Sequence, residues 1–181
     1  MIHQYYDWNN IITDYDKTQY INDVRSAVDQ GNYLKDQPKY QPNFTVFDRP
    51  EWHWTKLKYS FIMSVYDFLG RQVPMVGVRS WSFMTSLEHA EDREKLWHHH
   101  HADDEEYNTV SGVFYIKVPV LDDDCGTEFA PNGPKESERV MLPPKEGQWL
   151  IYWGKEWHRP GVVKSMDHRF IVAADMIYKE I

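Results

Sequence analysis

From Pro74 to its end the chain is a succession of short segments rich in β-branched and aromatic residues, separated by Gly, Pro and Asp turns. Residues 76–84, 110–118, 127–129, 139–142, 148–153, 157–163 and 169–178 each read as a strand, and residues 121–126 as a turn. Many short strands at close spacing point to an all-β sandwich or barrel. The segment before Pro74 has a different period. Tyr20, Ile21, Val24, Ala27 and Val28 recur at helical spacing over residues 17–30, with Gly31 as a stop. Trp54, Leu57, Phe61, Ile62, Val65, Phe68 and Leu69 form a second helical stripe over residues 51–69, closed by Gly70. Asp48 is the expected cap of that helix, Pro50 suits its first turn, residues 44–47 suggest a short strand, and residues 1–16 an extended lead-in. The expectation is one structural unit, mainly β: helical support over residues 1–75 packed on a β core over 76–181.

The acidic balance, 28 Asp and Glu against 20 Lys and Arg for a net charge of −8, disfavours nucleic acid and anionic membranes as partners. No apolar run approaches the roughly 20 residues of a membrane span, and the first residues lack signal-peptide character. Cys125 is the single cysteine, so no intrachain disulfide can form and a reducing, cytoplasmic setting is the simplest expectation.

The chemistry-bearing feature is the internal run His98, His99, His100, His101, followed by Ala102 and Asp103. In an extended strand residues i and i+2 share a face. His101 and Asp103 are therefore expected on one face with His99, and His98 and His100 on the other. A His-x-Asp pair with a distant third ligand, for which His158 is the candidate, makes a two-histidine, one-carboxylate facial triad. That triad leaves three coordination positions open and suits non-haem Fe(II) and O2 activation. An anionic 2-oxo acid would need a cation for its far carboxylate. Arg169 follows His158 by eleven residues, across a short turn, and offers a bidentate, permanently charged clamp. Tyr115 lies on the next strong strand and could add a hydroxyl.

These residues together resemble the 2-oxoglutarate- and Fe(II)-dependent oxygenases, most nearly the prolyl-hydroxylase-like branch. The elements that carry the resemblance are His101-Ala102-Asp103, residues 112–117, residues 125–129, residues 144–153, Trp157-His158-Arg159-Pro160 and Arg169, and the resemblance as a whole reaches over residues 76–180. The resemblance implies a double-stranded β-helix (jelly roll) with supporting N-terminal helices. It implies iron on His101, Asp103 and His158, and 2-oxoglutarate on Arg169 and Tyr115. The implied reaction is oxidative decarboxylation of 2-oxoglutarate with O2, coupled to hydroxylation of a peptide prolyl residue or a small molecule. Ile171 stands where some relatives have a small hydroxyl residue, and Asp175 where the nucleic-acid demethylase branch has a second arginine; the latter argues against base repair. Trp81, Trp149, Trp153 and Trp157 are candidate pocket aromatics.

Two other classes fit parts of the pattern. In a cupin, His99, His101, Glu105 and His158 would hold the metal without 2-oxoglutarate, although Arg93 stands where the first cupin motif has a glycine. A histidine run can also be an adventitious metal-binding tract on a non-catalytic jelly roll.

Overall fold

In the computed structural model, which describes residues 1–34, 39–89, 92–102, 105–119 and 123–180, two antiparallel sheets face each other and two helices cover the outside of the larger one. The strands are β1 (His3–Asp7), β2 (Met75–Thr85), β3 (Tyr107–Lys117), β4 (Thr127–Phe129), β5 (Val140–Leu142), β6 (Gln148–Trp153), β7 (His158–Pro160) and β8 (Arg169–Lys179). The larger sheet has the order β1-β6-β3-β8-β2 and the smaller β5-β4-β7. This is the mainly β, helix-supported arrangement expected from the sequence.

The side-chain alternation of β3 and β8 creates two separate cores. Val110, Phe114 and Ile116 of β3, with Phe170, Val172, Ala174 and Met176 of β8, point outward to the helices. Val113 and Tyr115 of β3, with Ile171 of β8, point inward to Phe129 and Leu142 of the smaller sheet. Both faces are covered, so β3 is buried from Thr109 to Ile116. This explains its almost unbroken run of β-branched and aromatic residues. Gly112 sits on the helix-facing side, where a Cβ would lie 2.7 Å from Ile151 Cδ1 and 3.0 Å from Phe61. Gly112→Ala is expected to lower stability by about 1–3 kcal/mol through overpacking, read as a Tm decrease in thermal unfolding.

The helices are α1 (Asp14–Asp29) and α2 (Trp52–Leu69). Thr13 caps α1 in a reciprocal capping box with Asp16. Asp16 also pairs with Lys56, joining α1 to α2. Gly70 ends α2 at φ 68°, a left-handed conformation that glycine adopts without steric cost. Trp54 is fully buried, and its indole donates to Asp23 at 2.7 Å.

Three local expectations change. Residues 1–16 are more than a lead-in: His3–Asp7 forms the edge strand paired with β6, from His3 opposite Tyr152 to Asp7 opposite Gln148. Residues 44–47 are not a strand. Val46–Asp48 is a short 3-10 turn, and the Phe47 amide donates to Ser80 Oγ at 2.9 Å rather than to a strand partner. Glu51, not Asp48, occupies the cap position of α2, and its side chain makes no capping bond.

Candidate metal centre

The inward face of the larger sheet and the smaller sheet enclose a cleft of about 200 Å³. Strand parity selects what reaches it. From β8 come Arg169, Ile171, Ala173 and Asp175, from β3 Val113 and Tyr115, and from β7 His158. Trp81 and Phe83 of β2, with Lys39, complete one wall.

The histidine run enters beside β7. His98 and His158 exchange backbone hydrogen bonds of 3.0 and 2.9 Å, and the His100 amide donates to the Gly154 carbonyl at 2.7 Å. This pairing turns His98 and His100 toward the cleft. Their rings lie 4.3 and 5.1 Å from the His158 ring. One ring nitrogen from each of the three comes within 4.8 Å of the others. His99 and His101 take the opposite face: their rings are 5.2 Å apart, and His99 packs against Trp157 at 4.4 Å.

Each converging imidazole is held by its Nδ1. His98 Nδ1 lies 2.7 Å from the Leu96 carbonyl, and His158 Nδ1 lies 2.8 Å from the Glu156 carbonyl. His100 Nδ1 lies 2.6 Å from the Asp175 carboxylate. Every one of these partners accepts a hydrogen bond, so each Nδ1 donates, and in the neutral ring Nε2 keeps its lone pair. The bond at one ring nitrogen sets the role of the other. With each Nδ1 so engaged, Nε2 is the nitrogen left on each ring for a cation. His98 and His158 are also poor proton acceptors. Desolvation lowers His98 to about 4, although the residue keeps an exposed face. Desolvation, then the neighbouring His98, holds His158 well below the usual imidazole range. Neutral imidazole is the form that binds metal.

Beyond the histidines, the cleft floor holds Tyr115 and Arg169, which are 0% and 1% exposed. The Arg169 guanidinium donates to the carbonyls of Cys125 and, at 3.5 and 3.3 Å, of Gly126 and Gly161. Gly126 and Gly161 let those backbones approach. A Cβ on Gly126 would sit 1.9 Å from the Leu142 carbonyl oxygen, and one on Gly161 2.2 Å from that of Asp124. The Tyr115 hydroxyl is 2.8 Å from Thr127 Oγ1. Burial, the leading influence, raises its pKa well above the ordinary phenol value, so it is a neutral donor.

β7 is anchored from outside the cleft. Glu128 of β4 accepts from Arg159 at 2.7 Å and from Arg93 at 2.9 Å. These two arginines overcome the desolvation that would raise its pKa and hold Glu128 below its usual 4.5. The folded pKa is depressed. The pair's stabilisation is therefore complete above pH 4.5 and lost as pH falls below it. An acid-unfolding titration of Glu128→Gln is expected to show a shallower loss of stability in that window than the parent.

The sequence-predicted residues are thus distributed unevenly. His158, Arg169 and Tyr115 share the cleft. His101 lines a neighbouring depression with Ala102, Glu105 and Tyr107, which His100 also borders. Asp103 lies outside the described residues. The cupin set is divided in the same way, with His101 and Glu105 in that depression and His158 in the cleft. Of the four candidate tryptophans, Trp81 lines the cleft. Trp149 is buried in the helix-facing core with its indole donating to Ser60, Trp153 packs on Phe68, and Trp157 packs on His99. Sequence reasoning did not place His98, His100 and Asp175 at this cleft. Their i, i+2 spacing was visible, but which face meets His158 depends on the His98–His158 bridge, a contact 60 residues apart in sequence.

No family model matches the sequence, and no curated protein matches it. Solved structures do match the fold. A prolyl-4-hydroxylase from Pseudomonas putida is 10% identical with a TM-score of 0.63, covering 99% of this chain and 94% of that one. The viral collagen prolyl hydroxylase of Paramecium Bursaria Chlorella virus-1, in complex with 2-oxoglutarate, is 15% identical with a TM-score of 0.56, covering 99% and 97%. The α-ketoglutarate-dependent epimerase SnoN from nogalamycin biosynthesis is 11% identical with a TM-score of 0.66, covering 98% and 78%. The chain has the double-stranded β-helix fold of the 2-oxoglutarate- and iron-dependent oxygenases.

Proposed function

We propose that the protein is a 2-oxoglutarate- and Fe(II)-dependent oxygenase that hydroxylates a peptide residue, such as proline, or a small molecule. The observation that carries this reading is the convergence of His98, His100 and His158, each fixed through Nδ1, in the cleft that also holds Arg169 and Tyr115. In this assignment the three imidazoles would hold the metal. The donor set fits iron, for which neutral imidazole is a suitable ligand. It departs from the two-histidine, one-carboxylate pattern in having a third imidazole among the described residues.

When bound, iron with 2-oxoglutarate and O2 supplies the oxidising power for attack on an unactivated C–H bond. The chain's own residues position and enclose. Arg169 clamps the distal carboxylate of the co-substrate, and its carbonyl nest fixes the guanidinium before the ligand arrives. Tyr115 donates its hydroxyl to the same carboxylate. Val113, Ile171 and Ala173 line the intervening wall and exclude water, which strengthens the charge interactions in the cleft. Trp81 and Phe83, with Lys39, stand beside the histidines where a substrate would approach. The similar structures include both peptide-acting and natural-product enzymes, so both substrate kinds belong in a first panel. A cytoplasmic setting goes with this reading, supported by the single buried Cys125.

The test is anaerobic reconstitution with Fe(II), followed by addition of 2-oxoglutarate and then O2. The expected results are a visible charge-transfer band on 2-oxoglutarate addition and succinate after O2. Iron binding without any response to 2-oxoglutarate would favour the cupin reading, and no iron binding would favour a non-catalytic jelly roll.

A further inference from the structure

Asp175 is 0% exposed, and three groups meet its carboxylate. Ser111 Oγ donates to Oδ1 at 2.7 Å, Arg79 donates to Oδ2 at 3.2 Å, and His100 Nδ1 lies 2.6 Å from Oδ2. Ser111 and Arg79 are its cross-strand partners on β3 and β2. Those two would suffice to satisfy a structural carboxylate within the sheet. The third and shortest bond goes instead to a loop imidazole that the sheet does not need.

The charge balance gives this bond a purpose. Three neutral imidazoles would leave a divalent cation with its full +2 charge, where a ligating carboxylate would have removed one unit. Arg79, in contact with Asp175 at 3.2 Å, offsets part of its charge, but its own side chain is 42% exposed and shares its charge with water. The Asp175 charge, by contrast, is enclosed and directed along the imidazole. A carboxylate bonded to the far nitrogen of a ligating histidine fixes its tautomer and makes it a stronger donor.

Resting on the metal-site assignment above, we propose that Asp175 is a positioning residue for the metal centre, supplying through His100 the negative charge that the three imidazoles lack. It stands one imidazole away from the ion and fixes the His100 proton on Nδ1, so that Nε2 faces the metal. Asparagine in its place would keep the size but lose the charge, and an amide facing a histidine in this way can impose the wrong tautomer.

The experiment has two readouts that do not depend on turnover. In 15N-histidine-labelled metal-free protein, long-range proton–nitrogen correlation reads the tautomer of each imidazole. His100 is expected to carry its proton on Nδ1, and D175N to lose that preference. Titration with Co(II) alone, followed by its visible ligand-field bands, reads affinity and geometry. D175N is expected to bind about 10–100-fold more weakly than the parent, with shifted bands. A His100 protonated on Nε2 in the parent protein would overturn the inference without need of any variant. So would a D175N protein that binds Co(II) as tightly as the parent with the same spectrum. If the parent itself binds no Co(II), the metal-site assignment fails, and this relay to the metal fails with it. If the parent binds and D175N is unaffected, only the Asp175 inference fails.

Discussion

Replacing His100 or His158 with alanine is expected to abolish stable Fe(II) binding, while His101→Ala leaves it nearly unchanged. The expectation follows from placement. His98, His100 and His158 bring ring nitrogens within 4.8 Å of one another, whereas the His101 ring packs beside His99 on the opposite face of the run. Loss of a coordinating nitrogen should exceed the roughly 10–100-fold that loss of a ligand's hydrogen-bond partner costs in metal affinity. Calorimetric titration with Fe(II) under nitrogen, or metal content after gel filtration, gives the measurement. Asp103→Ala belongs in the same series. Three imidazoles sufficing for the site means that this variant keeps its metal. Loss of iron in both His101→Ala and Asp103→Ala, with retention in His98→Ala and His100→Ala, would instead establish the His101, Asp103 and His158 set.

The second large effect concerns the co-substrate. Arg169→Gln is expected to raise the KM for 2-oxoglutarate by about 10–100-fold, since a hydrogen bond to a charged group contributes about 1.5–3 kcal/mol. Arg169→Lys recovers only part of the loss, because an ammonium keeps the charge but not the planar fork. Tyr115→Phe removes one neutral donor and should cost less, about 1 kcal/mol or several-fold in KM. Thermal unfolding with and without 2-oxoglutarate separates binding from stability. The variants should lose the ligand-induced rise in Tm, whatever their ligand-free Tm. An Arg169→Gln protein that 2-oxoglutarate still stabilises as much as the parent would remove Arg169 from the binding site. Its ligand-free stability should fall as well, because the guanidinium also holds the carbonyls of Cys125, Gly126 and Gly161.

Both predictions depend on details whose legibility in the sequence differed. Arg169 and His158 were readable as cleft partners from residue type and order, but not as neighbours on paired strands: β7 and β8 lie in opposite sheets, and the two residues meet across the cleft between them. Tyr115 was readable because alternation on β3 leaves it no choice of face once Phe114 is committed to the helices. The long helices were legible from the period of Trp54, Leu57, Phe61 and Val65. The turn at Val46–Asp48 was not, because its apolar residues fit a strand equally well, and only the tertiary structure decided against one: beside β2 the Phe47 amide bonds the Ser80 hydroxyl instead of a strand backbone.

The histidine run marks the boundary most clearly. Its sequence determined that His98 and His100 share one face and that His99 and His101 share the other, because an extended backbone alternates its side chains. It could not determine which face looks inward. That choice is made by the backbone bonds between His98 and His158 and between His100 and Gly154, which set the rotation of the run against the smaller sheet. A one-residue change of that register would exchange the two pairs. Asp175 illustrates the same division. In the sequence it is only the residue standing where a second arginine might have been. In the folded chain, strand parity on β8 places it on the cleft side with Arg169, and the partner it meets there is His100.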